Sequence, residues 1–307
     1  MDQQPELSVI VAVVSDANHL RSCLESLQAQ NDPPSMEIVV PHDGTDAAIP
    51  ALEPEFPGVR FLKIDALRTI VSRNGASREH HDELRARGLS MAQGKILALI
   101  EDHGRAHPDW ARRMVQFHQG PHAAVGGSME NDVDRPLNWA VYFSDFGRYQ
   151  NPLPAGPSYF LTDANVSYKR ETLDQARSLW KDSFHETTFH DHLLQNGKTL
   201  WLAPDLIVYQ RRQNLSLAKA LKERYVWGRS FAGTRAQHCS SAQRLAFLAL
   251  SPLLPFVLLS RKIRAILQKK RLIPEFMKAF PYLILLTLFW SVGEFAGYWT
   301  AKPAGRA

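Results

Sequence analysis

The sequence predicts an α/β protein: a doubly wound sheet over the first two thirds of the chain, then a basic and apolar helical region. Two observations carry the sheet: short β-branched apolar runs near the start, and their alternation with segments of helical periodicity. A third, a change of charge and hydropathy near Arg212, carries the helical region.

Leu7 to Val14 is one apolar run bounded by polar residues, the mark of a strand buried on both faces. His19 to Gln30 places Leu20, Cys23, Leu24 and Leu27 at helical spacing. Glu37 to Val40 reads as a second strand, ended by the turn-forming Asp43-Gly44-Thr45-Asp46, and Val59 to Ile64 as a third. Glu83 to Gln93 is helical and stops at Gly94, and Lys95 to Ile100 is a further buried strand. In such sheets ligands bind beyond the carboxyl ends of the strands. Ser15, Asp43 and the run Glu101 to His103 are therefore expected to converge on one crevice. From Gly120 to Pro157 the chain reads as irregular and aromatic, with Trp139, Tyr142, Phe143, Phe146 and Tyr149.

The 307 residues carry a net charge of +5, unevenly spread. From Arg211 onward 17 basic residues face only Glu223, Glu275 and Glu294, while the part before it has 19 basic and 28 acidic residues. The basic residues alternate with long apolar runs, a mixture that suits an anionic lipid surface and not nucleic acid. A hydrophobic fraction of 45% and a charged fraction of 22% exclude a disordered chain. Cys23 and Cys239 alone exclude a disulfide framework and a cysteine-type metal site. Met1 to Glu6 is polar and acidic with no basic stretch, so no cleaved secretory signal is expected and the bulk of the chain belongs in the cytoplasm.

After Arg212, Leu215 to Arg235 reads as a basic helix. Leu245 to Leu259 is apolar but interrupted by Pro252 and Pro255, too short and broken for a span. Arg261 to Lys278 reads as a wet basic spacer. Phe280 to Thr300 approaches the ~20 residues a spanning helix needs, with Glu294 expected to face protein or head groups, or to be protonated.

Four segments in the first part carry a resemblance. Leu7-Ser8-Val9-Ile10-Val11-Ala12-Val13-Val14-Ser15 looks like an opening V-S-V-I-I-P-T-Y-N. Glu37-Ile38-Val39-Val40-Pro41-His42-Asp43-Gly44-Thr45 echoes E-I-I-V-V-D-D-G-S. Arg85-Ala86-Arg87-Gly88-Leu89-Ser90-Met91-Ala92-Gln93-Gly94 keeps the Arg, both Gly and the Ala of R-N-x-G-x-x-x-A-x-G. Glu101-Asp102-His103, then His107-Pro108-Asp109-Trp110, stands where D-x-D precedes P-D-W. Over about its first 210 residues the sequence resembles the family-2 glycosyltransferases, which use the GT-A fold.

The resemblance implies a nucleotide-sugar donor whose base and diphosphate meet Val11, Val13, Ser15, Asp43, Arg85 and Asp102. A carboxylate at Asp43 would accept the imide N–H of a uracil or an amine of another base; by itself an Asp-Gly pair is a turn. Arg85 offers a fork of donors to a diphosphate, or makes an ion pair. Glu101 and His103 take the outer D-x-D positions and would hold Mn²⁺ or Mg²⁺, carboxylate plus imidazole favouring Mn²⁺; His103 could instead contact phosphate.

Relatives often carry E-D-x-E-L-x-x-R-L-x-x-x-G, whose Asp is the catalytic base. Counting back from Gly197 puts Glu186 at that Asp, His185 at the Glu and His192 at the Arg, with Asp191 as the competing carboxylate. The histidines around it read as solvated helix-face residues and not as a zinc site. Asp163 to Arg170 resembles the acceptor-side G-x-N-x-x-x-R segment, so Asp163 and Asn165 are expected to meet the acceptor. Gln210-Arg211-Arg212 stands where relatives often have a His near the metal; Arg211 or Arg212 could supply charge there. The aromatic residues between 120 and 157 form either a packed subdomain or a wall on which acceptor sugars stack.

These readings divide the chain into a GT-A domain over residues 1–212, a basic helical linker over 213–243 and membrane-associated helices over 244–307. They predict an inverting glycosyltransferase at the cytoplasmic face of the inner membrane, acting on a lipid-linked or membrane-proximal glycan. Membrane lipid is an expected partner and nucleic acid is not. The alternative is a catalytically degenerate scaffold that binds a nucleotide sugar or glycan. A nucleotidyltransferase would need a Gly-rich, basic first loop, and Val13-Val14-Ser15-Asp16 is no such loop.

Overall fold

A computed structural model of the chain describes residues 4–65, 67, 78–237 and 239–302. The chain forms two compact units: residues 1–130 with 151–211, and residues 131–150 with 212–307.

The first unit opens with β1 (Leu7–Ala12), all six of whose residues are buried, as its unbroken apolar run requires. Asp16 then caps α1 (Ala17–Gln28) by accepting from the backbone N–H groups of Asn18 and His19 at 3.0 and 3.1 Å. β2 (Met36–His42), β3 (Val59–Lys63), α2 (Arg78–Met91) and β4 (Ile96–Glu101) complete a parallel half-sheet in the order β3-β2-β1-β4. The second half of the sheet lies in stretches with no strand predicted from the sequence. It comprises β5 (Gly104–Ala106), α3 (Trp110–Phe117) and β6 (Ala124–Asn131). After α4 (Pro136–Asp145), which belongs to the second unit, come β7 (Gly156–Ser158) and β8 (Asn165–Lys169). α5 (Arg170–Gln175), α6 (Arg177–Trp180), α7 (Glu186–Gln195) and β9 (Leu200–Gln210) close the unit.

The sheet continues past β4 as β8-β6-β9-β5. β8 runs antiparallel to β4, with Ile100 opposite Asn165. The sheet is thus mixed: doubly wound on one side only. The reversal matters for function, because it brings the start of β8 to the same edge as the carboxyl end of β4.

The second unit contains α4 together with α8 (Leu217–Ala236), α9 (Ser241–Leu250), α10 (Leu254–Lys269) and α11 (Ile273–Thr300). Residues 131–150, expected inside the first domain, belong here. Trp139, Tyr142, Phe143, Phe146 and Tyr149 are all buried, and Phe143 packs edge-on against Phe276 of α11 with ring centroids 5.3 Å apart. Burial takes these rings away from any sugar, so they form a core and not an acceptor wall. The expected 213–243 linker is mostly α8, a packed helix of this core: the backbone carbonyls of Tyr225 and Arg229 lie where a Cβ on Gly293 or Gly297 of α11 would stand.

Pro252 and Pro255 do not break the first apolar run. Pro252 sits in the first turn of a short 3₁₀ segment, Ser251–Leu253, and Pro255 in the first turn of α10, where a missing N–H costs nothing. Residues 241–269 are consequently one helical stretch, and α11 is a second; both are long and apolar enough to cross a membrane by length and composition. The basic spacer is likewise mostly helical, since α10 runs to Lys269 and α11 begins at Ile273. Glu294 is buried against protein, its carboxylate accepting from the Trp290 indole N–H.

Candidate functional site

The site lies in the first unit, at the edge where β1, β2 and β4 end and β8 begins. Its centre is Arg85, in the second half of α2 and only 3% exposed. One Nη donates to Asp82 at 3.0 Å. The other reaches Glu101 at 2.8 Å, at the end of β4, and Asp163 at 3.0 Å, just before β8. Burial works against the guanidinium charge, but Asp163, Glu101, Asp82 and, further off, Glu186 hold its pKa above the ordinary value. Arg85 was expected to meet a diphosphate or an ion-pair partner. The structure shows ion pairs, with three carboxylate partners in contact.

Glu101 and His103 face one another, with Oε2 and Nε2 3.3 Å apart. Burial pushes the Glu101 carboxyl above its ordinary range; His103 and Arg85 oppose this, and the Asp163 and Asp102 charges add to it. Asp163 in turn donates its backbone N–H to the Glu186 carboxylate at 3.3 Å. Glu186 is the first residue of α7, where the aligned peptide dipoles favour negative charge. The competing Asp191 is exposed on the same helix. Arg211 enters the same neighbourhood through the backbone, its N–H donating to the His103 carbonyl at 2.7 Å.

Asp43 follows β2. Its Oδ1 accepts from the Thr45 N–H at 2.9 Å and hydroxyl at 2.7 Å, and its Oδ2 lies 3.2 Å from His80 Nε2. Burial would raise its pKa, but the two Thr45 bonds and His80 hold it below the usual carboxylate range. Val13 and Ser15 lie half-buried on the loop that leaves β1.

Three expected contacts are corrected by burial. Val11 is fully buried in the middle of the sheet, hydrogen-bonded in register with Ile100 of β4, and has no face for a nucleotide. Asp102 is fully buried too; its Oδ2 accepts from the Ser15 N–H at 2.8 Å, bracing the loop and not a phosphate. Asn165 is a core cross-brace. Its amide donates to the Ser128 and Leu206 carbonyls at 2.9 and 2.8 Å and accepts from the Trp110 indole at 2.9 Å, so both N–H groups are used and the residue is fully buried.

Sequence reasoning missed Asp82. Buried on α2, it faces Arg85 on one side and His185 Nδ1 at 3.0 Å on the other. The signal was its i,i+3 spacing from Arg85, but Asp82 lies one residue before the predicted helix start. His80 was missed for the same reason.

Residues 8–177 match the model of Glycosyl transferase family 2. The chain belongs to that family. It is 26% identical over 147 residues to the protein titled "Putative glycosyltransferase EpsH" of Bacillus subtilis (strain 168), covering 48% of this chain and 37% of that one. It is 29% identical over 118 residues to succinoglycan biosynthesis protein ExoO of Rhizobium meliloti (strain 1021), covering 38% and 30%. The chain thus spans about a third of the length of the curated relatives it matches. A solved mannosyltransferase from Pyrobaculum calidifontis, in complex with GDP-Man and Mn²⁺, is similar over 98% of this chain and 86% of its own, at 16% identity and a TM-score of 0.48. That likeness is too remote to carry its ligands over.

Proposed function

We propose that this family-2 chain transfers a glycosyl group, with inversion, from a nucleotide sugar to a hydroxyl of a lipid-linked or membrane-proximal glycan. The observation that carries the reading is the placement of Glu186, Asp163, Glu101 and His103 at one sheet edge around Arg85. Glu186 is the base. It takes the proton of the acceptor hydroxyl while that oxygen bonds to the anomeric carbon and the bond to the nucleoside diphosphate breaks on the opposite face. Asp163 fixes the Glu186 carboxylate through its backbone N–H and meets the acceptor, while Asp43 and the Val13–Ser15 loop receive the nucleotide.

Among the described residues no group of three or more His, Cys, Asp or Glu is arranged to hold a metal ion. A carboxylate oxygen and an imidazole nitrogen 3.3 Å apart nevertheless fit two adjacent ligands of an Mn²⁺-like cation, the remainder coming from donor phosphates and water. Such a cation would neutralise charge developing on the leaving diphosphate. The need for it is local: one guanidinium faces three carboxylates in contact, with a fourth nearby, so a bare diphosphate would meet net negative charge.

The reading takes the second unit to be membrane-associated at the cytoplasmic face, through residues 241–269 and α11. The test is release of nucleoside diphosphate from a panel of nucleotide sugars by the purified full chain, with and without chelator. Turnover of one donor, abolished by chelator and restored by Mn²⁺, is expected. Tight binding of a donor with no turnover in the presence of any membrane-derived acceptor would sink the enzyme reading in favour of a scaffold. Full turnover in excess chelator would remove the metal from it.

A further inference from the structure

The second unit holds a cavity of about 230 Å³ lined by residues of α4, the turn after it, α10 and α11. Gln150 is fully buried on its wall, and neither its Oε1 nor its Nε2 has a hydrogen-bond partner among the described residues. A buried amide left unpaired keeps its full desolvation penalty, so its persistence asks for a ligand. Around it stand Arg261 and Lys262, the latter also donating to the Phe143 and Ser144 carbonyls at 3.3 and 3.4 Å. The lining carboxylate, Asp145, is already held by Arg224 through both guanidinium nitrogens. The cavity is therefore positive, and its neutral group offers one donor edge and one acceptor edge.

We propose that this cavity binds the phosphate of a lipid together with a hydroxyl carried next to that phosphate. Phosphate oxygens accept from Gln150 Nε2 and from Arg261 and Lys262; the hydroxyl donates to Gln150 Oε1. The lipid source follows from the surroundings. Val257, one turn before Arg261 on the same helix face, is 41% exposed, and Met277, next in sequence to the cavity-lining Phe276, is 64% exposed, an apolar surface on which acyl or prenyl chains can lie. The inference rests on the membrane-associated reading of this unit and adds to it a specific head-group site.

The test is titration of the full chain in neutral detergent with short-chain phosphatidylglycerol, with phosphatidylcholine and inorganic phosphate as comparisons. Saturable phosphatidylglycerol binding is expected, with both comparison ligands at least about tenfold weaker and with Gln150→Leu and Arg261→Gln each losing about tenfold. Arg261 is exposed, so its variant keeps the test valid if the buried substitution fails to fold. Unchanged phosphatidylglycerol affinity in Arg261→Gln, or inorganic phosphate binding as tightly as the lipid, overturns the site. Flotation with neutral phosphatidylcholine vesicles separates the two readings. A chain that floats without discriminating head groups loses the site alone, whereas one that never floats loses the membrane as well.

Discussion

Arg85 and Arg224 are each 3% exposed, and each anchors one of the two units, but they do so under different charge balances. Arg224 closes with Asp145 one to one and lays its guanidinium over the Trp227 ring at 4.4 Å, so the pair leaves little net field. Arg85 has three carboxylates in contact and a fourth within range, so the pairing leaves negative charge behind. A structural pair cancels; a functional cluster keeps a residue of charge for something that arrives. The cavity at Gln150 keeps the opposite sign. The proposals made above follow this split: a cation with a nucleotide for the first unit, and an anion on a lipid for the second.

The largest effect expected from breaking this arrangement is chemical. Glu186→Gln keeps the size of the proposed base and removes its charge, and should lower kcat by roughly 10²–10⁴ with the donor KM little changed. Near-normal kcat there, with Asp191→Asn inactive, would move the base to Asp191. Next is stability. Arg85→Gln strands the buried Asp82 and the half-buried Glu101 and Asp163, and should cost about 3–5 kcal/mol, read as a lower denaturation midpoint. Adding Asp82→Asn should recover only part, because Glu101 and Asp163 stay uncompensated. The closed pair should behave otherwise: Arg224→Met with Asp145→Leu together are expected to be near neutral, within about 1 kcal/mol. If both double variants recover equally, the contrast between cancelled and residual charge is wrong.

A smaller effect separates the units by pH. Burial holds the His81, His118 and His190 imidazoles neutral, with pKa values near 4, 3 and 4; Arg85 and His80 add to this at His81, and Lys169 and His122 at His118, while Asp163 opposes it at His190. All three are in the first unit. The unfolded chain takes up protons at these groups below about 6.5 and the folded one does not. Their contribution to stability is therefore complete above pH 6.5 and lost as pH falls toward 4 and then 3. Melting followed against pH should show this slope, and His118→Gln should make it shallower. A slope unchanged in that variant would mean His118 is not held neutral by the fold.

Much of the first unit was legible because its strands are buried on both faces and spell themselves as apolar runs; β1 and β4 lie within two residues of expectation. β6 was illegible because Ala124–Asn131 is Gly-rich and polar, yet buried nearly throughout by its neighbours in the sheet. The start of α4 at Pro136 carried a signal, proline in the first helical turn, that its irregular flanks hid. Motif likeness located the chemistry-bearing stretches but not the direction of their side chains. Asp102 and Asn165 sit in the right segments and point inward, because alternate residues of a strand end face opposite sides. Asp82 needed only a helix start one residue earlier.

Gly293 and Gly297 admit the Tyr225 and Arg229 carbonyls of α8 against the backbone of α11. They form a G-x-x-x-G step, the spacing that lets two helices touch main chain to main chain. Such a joint draws its strength from close dispersion contact and not from the expulsion of water. It is indifferent to the medium around it. Contacts that depend on expelling water lose their strength in an apolar medium; the joint between α8 and α11 keeps its own.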